Sequence, residues 1–193
     1  DLATARDLLE AARADAARSC GALYVTTSRR TPKAVVDWLR GACREGEVLH
    51  VFDAAAPPET NPYHALLGLA EHFIVTTDSL SMMVEVARLG KSLAIFPLAN
   101  DGGPIEGALE RLGWLRPLDP RRDPIPAGGG LSRTLHRLGL PIHSRDLSAI
   151  ARRLVERGLA CWLGDPRVAP RVGADDEVER VAERVRALVA GAL

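Results

Sequence analysis

Short runs of continuous apolar residues alternate along the chain with longer stretches whose apolar positions recur every three to four residues. Leu2 to Ser19 places Leu2, Ala5, Leu8, Leu9, Ala12 and Ala16 on one face, the period of a helix, and Cys20-Gly21 stops it. Ala22 to Thr27 is β-branched and apolar and reads as a buried strand. It ends in the polar turn Ser28-Arg29-Arg30-Thr31. Pro32 suits the first turn of the next helix, with Thr31 as N-cap, and Val35, Val36, Trp38 and Leu39 carry that helix to about Glu45. Glu47 to Phe52 predicts a second strand, and a loop from Asp53 to Pro62 follows it. A short helix from Tyr63 to Ala70 precedes a third strand, His72 to Thr77. Asp78-Ser79 turns into a helix that ends at Leu89, where Gly90 is a natural C′ residue. Leu93 to Phe96 is the fourth strand, stopped by Pro97.

Apolar strands alternating with amphipathic helices define an α/β fold: a Rossmann-like, doubly wound parallel sheet with helices on both faces. Beyond Asn100 the pattern weakens. Pro104 to Gly113 reads as a helix, Trp114 to Pro117 as a short extended piece, and Pro117 to Gly130 as a loop. Asp146 to Arg157 is a helix with Leu147, Ile150, Ala151, Leu154 and Val155 on one stripe. Glu177 to Ala190 is another, with Val178, Val181, Val185 and Leu188. Its stripe is expected to pack back on the domain or on a neighbouring copy, which allows a homo-oligomer.

Composition narrows the class. At 193 residues and 47% hydrophobic, the chain can bury the core of one domain with an extension. Net charge is zero, so no global field recruits nucleic acid or an anionic membrane. Lysine occurs only at Lys33 and Lys91, a bias towards arginine that suits a GC-rich genome. Cys20, Cys43 and Cys161 are widely spaced and odd in number; they suggest buried, reduced thiols in a reducing compartment, with no disulfide framework or zinc cluster. No apolar run reaches the roughly 20 residues of a membrane span, and no signal peptide is evident, so a cytoplasmic location is expected. The chain opens at Asp1 within a helix, which suggests that upstream sequence has been removed.

In open parallel sheets ligands bind beyond the C-terminal ends of the strands. Three such ends are polar: Thr26-Thr27-Ser28-Arg29-Arg30, the loop from Asp53 through Asn61, and Thr76-Thr77-Asp78-Ser79. They are expected to meet in one crevice. Asp78-Ser79-Leu80-Ser81-Met82 marks a strand handing over to a helix, where free N–H groups and the helix dipole favour an anion. Glu85, nearly two turns into that helix, is placed to accept hydrogen bonds from a ribose. The same residues also suit a plain Asp/Ser cap with Glu85 solvated or internally paired. Arg29 and Arg30 offer planar, permanently charged forks for phosphate, or an exposed basic turn. His50, His64 and His72 suit core or surface roles, Met82, Met83 and Trp38 suit the core, and Asp175-Asp176-Glu177 suits an acidic helix start. There is no Gly-rich dinucleotide fingerprint, Walker A motif, G-x-S-x-G, H-E-x-x-H or metal-ligand cluster, and Gly128 to Gly130 follows no strand, so no catalytic residue or resident cofactor is assigned.

Three segments taken together resemble a known family. They are Val25-Thr26-Thr27-Ser28-Arg29-Arg30-Thr31-Pro32, Asn61-Pro62-Tyr63, and Val75-Thr76-Thr77-Asp78-Ser79-Leu80-Ser81-Met82-Met83-Val84-Glu85 with Gly90-Lys91 behind. Over about Asp1 to Pro117 they resemble the mitochondrial-fission "elongated mitochondria" family of bacterial and plant proteins. That resemblance implies a GT-B-like fold, distantly similar to the transferase that makes lipid II and to Kdo transferases, with this chain as the C-terminal, nucleotide-sugar-binding half. Residues 1–117 are then the Rossmann domain, lacking its first strand and Gly-rich loop, and 118–193 a loop and helical extension packed on it. Ser79 to Met82 would match the diphosphate-binding helix start, Glu85 the ribose-binding glutamate and Arg29 a basic residue near the phosphates. Val51, Phe52, Asp53 and Asn61 would border the base.

Three functions follow from the resemblance. The chain is the donor-binding half of a glycosyltransferase-type enzyme, completed by an N-terminal domain that binds the acceptor and inactive without it. Alternatively it is a non-catalytic interaction module, since plant relatives are regarded as recruiters of a dynamin-like fission protein. A sugar-nucleotide epimerase of the same fold is the third. The expected ligand in the first case is a nucleotide-diphosphate sugar.

Overall fold

The structure, a computed structural model, describes residues 1–98, 119–122 and 148–169. The expected segments at 104–117, most of 117–130 and 177–190 lie outside them. Five helices are described: α1 (Leu2–Arg18), α2 (Lys33–Ala42), α3 (Tyr63–Leu69), α4 (Leu80–Arg88) and α5 (Ser148–Glu156). The strands are β1 (Tyr24–Thr26), β2 (Val48–His50), β3 (His72–Thr76), β4 (Ser92–Phe96) and β5 (Cys161–Trp162). Every pairing among them is parallel. This is a Rossmann-like α/β fold.

The sheet is divided. β1 pairs with β2, while β3, β4 and β5 form a second sheet in that order. The hydrogen bonds at the strand ends fix which backbone groups are used. Val48 N–H donates to Leu23 O and Thr27 N–H to His50 O, so odd-numbered residues of β1 face β2 and the N–H and C=O groups of Tyr24 and Thr26 face away from it. Thr77 N–H donates to Phe96 O, so Ile74 and Thr76 likewise turn their backbone groups away from β4.

Helix α1 spans both parts. Ala5 and Leu9 join a core with Leu23, Val25, Val35, Leu39 and Leu49. One step round the helix, Leu8 and Ala11 pack with Ile74, Ala94, Phe96, Cys161 and Leu163 on the second sheet. The opposite face of that sheet carries Val75, Leu93, Ile95 and Trp162 against Met83 and Val86 of α4 and Ala151 of α5. Alternation along β4 therefore buries both of its faces, as a central parallel strand requires. The β1–β2 pair differs from the expectation of two covered faces: Tyr24 is 40% exposed and Val48 49%. Helices α1 and α2 lie on its other face, with Leu23, Val25 and Leu49.

Two local expectations are corrected. Thr31 does not cap α2; its hydroxyl accepts from Ser28 N–H at 2.9 Å while its own N–H donates to Ser28 O, which closes the turn on itself and leaves Pro32 at the N-cap. The thiols are free, but only Cys161 is buried, Cys43 being partly buried and Cys20 exposed. Cys20 takes φ 51°, the left-handed position after α1, and Gly21 N–H returns to Ala16 O. Gly90 after α4 fills the same position at φ 65°, with Lys91 N–H bonded to Val86 O.

Charged groups pin α1 in place. Asp15 is 1% exposed on the helix face towards the second sheet. Its carboxylate accepts from Arg18 at 2.5 Å and from Nε of Arg167 at 3.1 Å, with Nη2 of Arg167 bonded as well. Burial pushes this carboxyl up, but the bonds from Arg167 and Arg18 and the neighbouring charges outweigh it, and the net direction is down. His72 Nε2 lies 3.2 Å from Asp15 Oδ2 without hydrogen-bond geometry, and Nδ1 meets Ser92 Oγ at 2.8 Å. Burial holds the His72 imidazole below its usual range.

Arg13 grips Glu47 with both arms of its fork, Nε to Oε1 at 2.7 Å and Nη2 to Oε2 at 2.8 Å, and so ties α1 to the entry of β2. The Arg13 bond dominates its environment and lowers the Glu47 carboxyl from 4.5 to about 2. Because the folded value lies below the unfolded one, the stabilisation is complete above about pH 4.5 and is lost as pH falls towards 2. Glu47→Gln should therefore lower stability by about 1–2 kcal/mol at pH 7. In urea titrations the gap between the two proteins should narrow below pH 4.5; a gap independent of pH would contradict the pairing.

Candidate functional site

The same Val-Thr-Thr triplet ends β1 and β3, and it does the same work twice. Thr27 N–H bonds His50 O while its hydroxyl accepts from Phe52 N–H at 2.9 Å. Thr77 N–H bonds Phe96 O while its hydroxyl accepts from Leu98 N–H at 3.0 Å. Each threonine extends its ladder by one side-chain bond beyond the last strand residue. The loops leaving β1, β2 and β3 therefore start from fixed points at one edge.

Between the two sheets the crossing contact is Arg30. Its Nη2 donates to Asp78 O at 3.1 Å and lies 3.4 Å from Asp78 Oδ2. This places the loop after β1 beside the loop after β3. The other carboxylate oxygen of Asp78 accepts from the Thr76 hydroxyl at 2.5 Å, so Asp78 is engaged on both sides. Of the two expected phosphate-binding arginines, Arg30 is thus bound to Asp78. Arg29 is exposed and makes no hydrogen bond or ion pair among the described residues. Ser28 uses its hydroxyl to accept from Arg30 N–H at 3.2 Å within the turn.

Ser79 occupies the N-cap of α4, but its side chain makes no capping bond. The first N–H of the helix to find an acceptor within it is that of Met83, bonded to Ser79 O. The N–H groups of Leu80, Ser81 and Met82 precede it, at the positive end of the helix dipole. An open groove of about 780 Å³ runs along this helix, lined by Leu80, Ser81, Val84, Glu85, Arg88 and Leu89. Met82 instead packs against the core around Met83 and Val86.

Sequence reasoning missed a partner for Glu85. The Tyr63 hydroxyl donates to Glu85 Oε2 at 2.7 Å, across from α3 to α4. Burial pushes the Tyr63 hydroxyl pKa up, and Glu85 pushes it further, so it stays protonated and donates throughout the working pH range. No pattern in the sequence pairs the two residues. Asn61 Oδ1 accepts from Tyr63 N–H at 3.0 Å, so Asn61 is spent on the start of α3. Asp53 Oδ1 similarly closes its own loop on Ala55 N–H at 2.9 Å, while Val51 and Phe52 are partly buried beside it. Among the described residues no group of His, Cys, Asp and Glu is arranged to hold a metal. Nor is any helix among them long and apolar enough to cross a membrane.

These features define a class: a Rossmann-like α/β domain whose polar strand ends and one helix start share a single edge. A family model described as Mitochondrial fission ELM1 matches residues 1–134, and the chain belongs to that family. No match was found among curated proteins, and none among solved structures.

Thr77 is 3% exposed and Leu98 partly buried, so removing the hydroxyl takes away the protein acceptor of the Leu98 N–H. Thr77→Val should cost about 0.5–1.5 kcal/mol through the lost Leu98 hydrogen bond. Equilibrium unfolding checks this; stability equal to that of the wild type would show that the hydroxyl does not fix the strand end.

Proposed function

We propose that this domain binds a nucleotide-diphosphate sugar at the strand-end edge, as the donor half of a GT-B-like glycosyltransferase-type protein. In this reading residues 1–117 carry the site and 118–193 pack on the same domain. The observation that carries it is the Arg30–Asp78 contact, which brings the β1 turn beside the start of α4. Arg30 neutralises Asp78, whose carboxylate would otherwise repel an anion there. Arg29, with its guanidinium uncommitted among the described residues, supplies the charge-assisted fork, and Leu80, Ser81 and Met82 supply N–H donors. Glu85 lies further along the same helix and lines the groove, where a ribose beyond the phosphates would meet its carboxylate.

A second reading, a non-catalytic interaction module, is supported by family membership and by exposed apolar side chains. Val84 and Leu89 line the groove at 37% and 51% exposure, and Leu69 at the end of α3 is 82% exposed. An apolar rim of this kind suits a protein partner.

Calorimetric titration with UDP-, GDP- and ADP-sugars, and with pyrophosphate, separates the two. A hydrogen bond to a charged group is worth roughly 1.5–3 kcal/mol, so Arg29→Ala should weaken both nucleotide and pyrophosphate about ten- to hundred-fold. Glu85→Ala should weaken only the nucleotide. Nucleotide binding that neither substitution changes, or no binding at all, would remove the donor site and leave the interaction reading.

A further inference from the structure

The Tyr63–Glu85 bond has a geometry that a simple helix-to-helix tie does not need. Tyr63 is the first residue of α3, directly after Pro62, whose φ of −73° sets the entry of the chain. Asn61 Oδ1 fixes the Tyr63 amide from the other side. The partly buried ring packs against the core that includes Leu67, Met83 and Val86. That hydroxyl takes one oxygen of Glu85, at 2.7 Å. The other oxygen, Oε1, has no hydrogen-bond partner among the described residues, and Glu85 lines the groove below the start of α4. A glutamate on an exposed helix face samples several rotamers, and ordering it costs entropy when a ligand arrives. Here the bond from the Tyr63 hydroxyl already restricts that freedom.

We infer that Tyr63 is a positioning residue for the ligand's sugar ring: it holds Glu85 Oε2 so that Oε1 is presented to the hydroxyls of a ribose. This rests on the donor-site reading of the groove. Its chemical content is narrower, because it assigns ribose recognition to a fixed carboxylate oxygen and makes a vicinal diol the group recognised. Phosphate affinity is set elsewhere, at Arg29 and the helix start, and does not pass through Tyr63.

Calorimetry on the 193-residue chain with UDP, GDP or ADP, the matching 2′,3′-dideoxy nucleotide and pyrophosphate tests this. The wild type should prefer the ribonucleotide over its dideoxy form by roughly ten-fold, and Tyr63→Phe, which keeps the ring and its packing, should abolish most of that preference. Pyrophosphate affinity should stay unchanged. In the double variant Tyr63→Phe/Glu85→Ala the loss should not exceed that of Glu85→Ala alone, because the phenol acts only through the carboxylate. A loosened structure would instead weaken pyrophosphate as well and add to the Glu85 effect, which would assign Tyr63 a structural role and overturn the inference. A ribose preference that survives Tyr63→Phe overturns the inference and leaves the donor site standing. Absence of any nucleotide binding by the wild type overturns both.

Discussion

A carboxylate placed almost wholly out of water is tolerated only if cations and donors surround it, and Asp15 imposes that demand on its own helix and on two distant parts of the chain. Arg18 answers from the same helix, Arg167 from the segment after β5, and His72 stands beside it at the entry of β3. Arg167 also bonds the Asp15 carbonyl, so the segment after β5 is tied to the backbone of α1 and not only to a side chain. Together with the Arg13–Glu47 fork, this fixes α1 over the entry edges of both sheets. Helix and strand directions being set there, the exit edges are set as well, and the polar loops emerge side by side. The geometry at one end of the strands is thus a condition for the crevice at the other.

The order of strands and helices was readable in the sequence because each strand that is buried on both faces must be apolar throughout, as Leu93 to Phe96 is. The handover at Asp78-Ser79 was readable for the same kind of reason, since the start of a helix selects small polar residues. What could not be read are contacts whose partners are far apart in sequence. Asp15 sits among alanines and leucines with no local sign of Arg167. Glu85 gave no sign of Tyr63, and the division into two sheets depends on edge pairing, which periodicity does not encode. Cys161-Trp162 escaped notice as a strand because two residues are too short to show alternation; the apolar run Ala160 to Leu163 was its only trace.

Within the candidate site, the sequence marks neighbourhoods but could not apportion duties between adjacent residues. Arg29 and Arg30 are chemically identical and both exposed, yet one bonds Asp78 and the other makes no bond among the described residues. Thr31 and Asn61 carry the side chains of cap residues and spend them on turns of their own. Short polar side chains choose between competing backbone partners a few residues away, and small energies decide the choice.

The two sheets are not equally firm. β4 has both faces buried, whereas β1 and β2 have three residues each and leave Tyr24 and Val48 largely open to water. Local opening follows such differences in burial, so the backbone amides of β1 and β2 should exchange with solvent through smaller fluctuations than those of β4. The turn bearing Arg29 is carried on the softer sheet and the start of α4 on the harder one. The contact that joins them is the one from Arg30 to Asp78.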